Sequence, residues 1–135
     1  MVWRHYRKWR SGECAVIGSE APTPYEMGIV ETGRSRVFVG FYVRLMLEDR
    51  EPVTGEDEHS LRGALCCMAE EIEPLGLHLD CVGLDADFSE SGLSFNSGWG
   101  YLGPRQQPMH MMDATPLYED EISRETMDAA RVGLA

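Results

Sequence analysis

The stretch that most constrains this chain is Arg36 to Leu47, RVFVGFYVRLML, its longest nearly uninterrupted apolar run. Read with a period of two, Val37, Val39, Phe41, Val43, Leu45 and Leu47 fall on one face, and Phe38, Gly40, Tyr42, Arg44 and Met46 on the other. That alternation predicts a strand, and a central one. The first face is purely apolar and asks for a covering helix layer. The second mixes aromatics, a glycine and a cation, as a partly covered sheet face does.

Tyr25 to Glu31 alternates in the same way, with Tyr25, Met27 and Ile29 on one side, and Thr32 to Ser35 supplies a short glycine-containing turn. The pair reads as a hairpin. Beyond Leu47 an acidic connector, Glu48 to Glu58, carries six acids against one arginine. Thr54 and Asp57 stand where a helix cap belongs. Leu61, Leu65, Met68, Ile72 and Leu75 then recur at helical spacing, with Pro74 and Gly76 as stops. Cys14 to Ile17, Leu77 to Leu84 and Gly92 to Leu102 read as further strands, and Thr115-Pro116 as the start of a last helix. The expected order is β-β-β-α-β-β-α: an α+β two-layer sandwich, mostly antiparallel, with one or two helices on one face.

Length allows a single domain over residues 1–135, divided into a basic aromatic N-terminal arm (1–12) and an acidic α+β body (13–135). The arm alternates Trp3, Tyr6 and Trp9 with Arg4, His5, Arg7, Lys8 and Arg10, and its stability contribution is expected to be small. Net charge is −11, and the first ten residues hold four of the twelve cations and none of the acids. A body of that sign repels nucleic acid and anionic membrane, since both require phosphate neutralisation. Basic protein surfaces are its natural partners. No apolar run reaches membrane-spanning length, and no hydrophobic leader core follows the basic start, so the expected location is cytoplasmic. Cys14, Cys66, Cys67 and Cys81, two of them adjacent, do not form a disulfide framework and are expected as reduced, buried thiols.

Several groupings invite chemistry and fall short of it. Asp85-Ala-Asp87-Phe-Ser89 begins like a calcium loop, but Glu90 replaces the turn glycine and Asn96 the closing glutamate. Cys66 and Cys67, with His78 and Cys81, have zinc chemistry, but neighbours on a helix point about 100° apart. Met109-His-Met-Met112 offers soft ligands, and core packing is the better reading. His59-Ser60 lacks the strand-turn-helix elbow of an activated nucleophile. With 23 acids no single catalytic pair can be chosen. The sequence therefore predicts no catalytic residue, no metal and no cofactor.

Binding residues remain. Trp99, flanked by Gly98 and Gly100, and Tyr101 are candidate apolar anchors. Glu56, Asp57 and Glu58, and Glu119, Asp120 and Glu121, are candidate acidic contacts. The expected function is a small acidic binding protein that inhibits or modulates a basic partner, itself of the nucleic-acid-binding kind, in the manner of anti-defence or immunity inhibitors of bacteria and phages. A small carboxylate-dependent enzyme and a self-associating structural domain, pairing as a homodimer, are the alternatives.

Overall fold

The computed structural model describes residues 3–90, 96–103 and 108–115. It is an α+β fold built on a curled antiparallel sheet of five strands. In chain order these are β1 (Arg4–Ile17), β2 (Thr23–Thr32), β3 (Val37–Leu45), β4 (Val53–Asp57) and β5 (His78–Asp80), arranged β4-β3-β2-β1-β5. One helix, α1 (Leu61–Ile72), and a small sheet of β6 (Phe88–Ser89), β7 (Trp99–Leu102) and β8 (Met109–His110) complete the described fold. The last expected helix, and the Gly92–Phe95 part of an expected strand, lie outside the described residues. No described helix is long and apolar enough to cross a membrane.

The central hairpin forms as its alternation requires, Tyr25 pairing with Leu45 and Ile29 with Phe41. One irregularity changes the faces. The register skips Val39, Val30 pairing with Gly40 and Glu31 with Phe38, so a bulge turns Phe38 onto the side of Phe41. Their rings meet edge to face at 5.3 Å. The uninterrupted alternation expected for Arg36 to Leu47, with Phe38 beside Tyr42, is thereby corrected: Val37 pairs with Thr32 on the opposite face.

The arm expected over residues 1–12 is, from Arg4 onward, part of β1. Arg4 pairs with Thr32 and Cys14 with Thr23, with a second bulge between Lys8 and Arg10. The sequence shows no apolar alternation here because most of this strand is exposed. β1 also curls over its own sheet. Tyr6 Oη donates to Glu56 Oε2 at 2.7 Å, and the Arg4 guanidinium pairs with Glu56 Oε1, although two strands separate β1 from β4. Small residues permit the curl: a Cβ on Gly28 would lie 2.0 Å from the Arg7 carbonyl oxygen.

The expected acidic connector contains β4. It pairs with β3 from Val53–Leu45 to Asp57–Phe41 and lies directly under the helix, where a Cβ on Gly55 would fall 2.2 Å from both the Ala64 carbonyl oxygen and the Met68 amide nitrogen. α1 starts at Ser60, whose Oγ accepts the Gly63 N–H at 2.8 Å, not at Thr54. Asp57 braces the turn before it, Oδ1 accepting the His59 and Ser60 N–H groups at 2.8 Å each. The helix ends as expected, with Pro74 in a following 3-10 turn and Gly76 left-handed at φ 76°.

Leu61, Leu65, Met68 and Ile72 are fully buried, and each contributes about 1.5–3 kcal/mol by leaving water. Leu75, expected in the same stripe, lies in the 3-10 turn and is exposed. The core spans the convex sheet face (Met27, Phe41, Val43, Leu45), α1, and the second sheet with its flanks (Phe88, Leu102, Met111, Met112). β5 returns antiparallel to the far end of β1, His78 opposite Ile17.

Candidate functional site

The concave face of the curl holds a network of aromatic and charged side chains. Tyr42 Oη donates to Glu26 Oε2 at 2.8 Å, and Arg44 reaches Glu26 Oε1 at 3.4 Å and Thr54 Oγ1 at 2.9 Å. The Arg44 guanidinium lies 4.3 Å from the Tyr6 ring centre and 5.1 Å from that of Tyr42, and the two rings meet at 4.9 Å. Burial pushes the Tyr42 phenol above its usual range, and the bond to Glu26 adds to the shift. Glu26 and Glu56 balance Arg44 and Arg4. The network is satisfied internally, so its role is to hold β1 against β3 and β4 rather than to present reactive groups.

Around that network the fold separates charge along the strands. At one end, the β2–β3 turn places Arg34 and Arg36 beside the start of β1, where the Gly33 N–H donates to the Trp3 carbonyl at 2.9 Å. Arg34 stacks on Trp3 at 5.6 Å. Arg4, Arg34 and Arg36 thus share one pole with the half-exposed rings of Trp3 and Phe38, and Arg7, Lys8 and the half-exposed Trp9 carry the cations on towards the middle of the sheet. Trp9 meets Phe41 at 5.9 Å, which extends the aromatic row onto the convex face. Within this pole Glu31 is 8% exposed, and its Oε1 has no partner among the described residues.

At the other end, β1 finishes, β2 begins, β3 leads into Glu48, and the turn after α1 arrives. A cavity lined by Glu20, Pro22, Glu48, Arg50, Leu75 and Leu77, among others, shows these segments to be neighbours. Glu20, Glu48, Asp49, Glu51, Glu70, Glu71 and Glu73 are all exposed. The two ion pairs among the described residues, Arg4–Glu56 and Arg44–Glu26, involve none of them.

The expected contact residues are redistributed by this arrangement. Glu56 is engaged with Arg4 and Tyr6, and Asp57 with the turn before the helix, where the His59 and Ser60 N–H groups lower its carboxyl pKa. Glu58 is exposed. These three form no free acidic block. Trp99 and Tyr101 are 41% and 37% exposed on β7. Trp99 packs edge to face on His110 at 5.2 Å and lies under Arg10 at 5.6 Å, so its indole is partly committed to the fold. Glu119, Asp120 and Glu121 lie outside the described residues.

Asp85 Oδ1 accepts the Asp87 N–H at 2.8 Å, an Asx turn leading into β6. Cys14 and Cys81 are buried, and burial pushes both thiols up to about 12. Cys66 is exposed and Cys67 half-buried, which corrects the expectation of four buried thiols. Met111 and Met112 pack in the core. Sequence reasoning missed the union of Arg34 and Arg36 with the N-terminal cations. A turn joining β2 to β3 was legible, but its nearness to Trp3 depends on β1 pairing with β2. Comparison with family models, with curated proteins and with solved structures finds no match for this chain.

Proposed function

We propose that this chain is a small binding protein that inhibits or modulates a basic protein partner, engaging it through the acidic pole rather than through Glu56 and Asp57. The observation that carries this reading is the gathering of Glu20, Glu48, Asp49, Glu51, Glu70, Glu71 and Glu73 at one end, exposed and outside both ion pairs. Position adds to it. Glu70 and Glu71 sit in the last turn of α1, which contains no basic residue, and Glu73 follows at its C-cap. Negative charge there opposes the helix macrodipole and costs about 0.3–1 kcal/mol per group. An arrangement that lowers helix stability argues for a use beyond solubility.

The test is association with a cationic partner captured from cell extract on the immobilised protein and eluted with salt. The triple variant Glu70→Gln, Glu71→Gln, Glu73→Gln should slow association at least several-fold at low salt and leave dissociation nearly unchanged, because long-range attraction acts on encounter. Glu56→Gln should not change the association rate. A captured partner that binds the triple variant as fast as the parent, with the same salt dependence, overturns the reading.

A further inference from the structure

Among the described residues, the outer edge of β1 is unpaired for most of its length. β2 pairs with one side of the strand from Arg4 to Cys14, whereas β5 pairs with the other side only at Ala15, Val16 and Ile17. From Arg4 to Glu13 no described strand covers that edge, and its side chains, His5 apart, are exposed. An open edge presents unpaired main-chain donors and acceptors, the template on which a further strand forms. The bulge at Trp9 divides it and leaves Arg4–Lys8 as the regular part.

Register assigns the side chains that flank this edge. His5 and Arg7 pair with Glu31 and Ile29 on the convex face, and Arg4, Tyr6 and Lys8 pair with Thr32, Val30 and Gly28 on the concave face. Cations therefore stand on both faces of a single strand. Arg4 is held by Glu56, but neither ion pair of the described residues takes Arg7 or Lys8. Trp9, 49% exposed, adds a half-free ring at the bulge. Alternate side chains of an added strand would face Arg7 on one side and Lys8 on the other. Such an edge selects acids at consecutive positions, where a strand buried on one face only would select alternate ones.

We propose that the Arg4–Lys8 edge of β1 takes an extended, consecutively acidic segment of a partner protein as an added strand. Charge decides against a second copy pairing through the same edge, because Arg7 and Lys8 would then approach their own equivalents, and cations at an edge discourage that pairing. Open main-chain groups favour a peptide over single-stranded nucleic acid, which uses stacking and phosphate contacts and leaves a strand edge unfilled. The acidic pole lies at the opposite end of the strands. Its repulsion is screened beyond a Debye length of about 10 Å at 0.1 M salt. This site is independent of the acidic-pole reading, and either stands if the other fails.

The experiment is an amide NMR titration of the full chain with a capped heptapeptide, Thr-Val-Glu-Asp-Glu-Val-Thr. Shift changes should concentrate in residues 4–9, and amide hydrogen exchange along that edge should slow. Arg7→Glu with Lys8→Glu should weaken binding at least tenfold while the far-UV spectrum is retained. Replacing the central Asp of the peptide by Pro, which removes a donor and keeps two of the three acids, should abolish the exchange protection. Four results overturn the proposal: no shifts in β1, equal binding and protection with the proline peptide, tighter binding of a ten-nucleotide oligo(dT), or occupation of the edge by a second copy, seen as a concentration-dependent mass that the double charge reversal changes.

Discussion

Arg62 Nε donates to the Gly83 carbonyl at 2.8 Å, and the same guanidinium reaches the Asp85 and Phe88 carbonyls at 2.6 and 2.9 Å. One helix side chain thereby pins the segment that leads into the second sheet. Each bond involves a charged donor and contributes about 1.5–3 kcal/mol. Arg62→Lys keeps the charge and loses the planar fork that spans three carbonyls. We expect it to lower stability by about 2 kcal/mol in urea unfolding, with Arg62→Ala lower still. A lysine variant within 0.5 kcal/mol of the parent would show that the fork is not the anchor.

Helix and sheet meet at Gly55, where a Cβ would fall 2.2 Å from the Ala64 carbonyl oxygen and the Met68 amide nitrogen. Both are backbone atoms and cannot yield by a rotamer change. Gly55→Ala should therefore cost about 3 kcal/mol, the upper part of the range for overpacking. The same substitution at Gly33, where a Cβ would meet no described atom within 4 Å but φ is 75°, should cost only the left-handed penalty of about 1–2 kcal/mol. Thermal melts of the two variants measure the difference.

Deleting residues 1–10 should abolish cooperative unfolding. β1 pairs with β2 from Arg4 onward, Tyr6 packs on Tyr42, and Trp9 packs on Phe41. Removal would open β2 to solvent along most of its length and strip the cover from the Arg44–Glu26 pair. A truncated chain that keeps its near-ultraviolet spectrum and a sharp melt would restore the separable arm.

His110 supplies a pH dependence. It is fully buried, Nδ1 accepts the Met112 N–H at 3.1 Å, and Nε2 has no partner among the described residues. Burial lowers its pKa to about 4, with nearby Arg10 pushing the same way and Asp113 opposing. The folded value lies below the unfolded value of about 6.5, so protons favour the unfolded chain. The His110 contribution is complete above pH 6.5 and is lost progressively as pH falls towards 4, by about 3 kcal/mol in all. His110→Gln should remove that part of the slope. Stability curves of parent and variant that run parallel between pH 4 and 6.5 would refute the assignment.

The local periodicities of this chain determined its central hairpin and its helix. Alternation at Tyr25 to Glu31 and Arg36 to Leu47, the stripe from Leu61 to Ile72, and Pro74 with Gly76 act through neighbours a few residues away, and such signals are written in the sequence. Tertiary structure decided what depended on distant partners. β1 was legible only from Cys14 to Ile17; from Arg4 to Glu13 it is a strand because β2 offers it an edge, although those residues are mostly polar or aromatic and exposed. β4 is a strand because β3 pairs with it and α1 rests on Gly55, in a segment whose acids read as a connector. The bulge at Val39, one residue in the register, moved Phe38 to the other face. Composition counted the charges, but their separation into poles followed from strand direction. Antiparallel pairing carried Arg34 and Arg36 to the N-terminal cations and put Glu20 and Glu48, far apart in the chain, at the opposite end, where the turn after α1 joins them through Leu75 and Leu77.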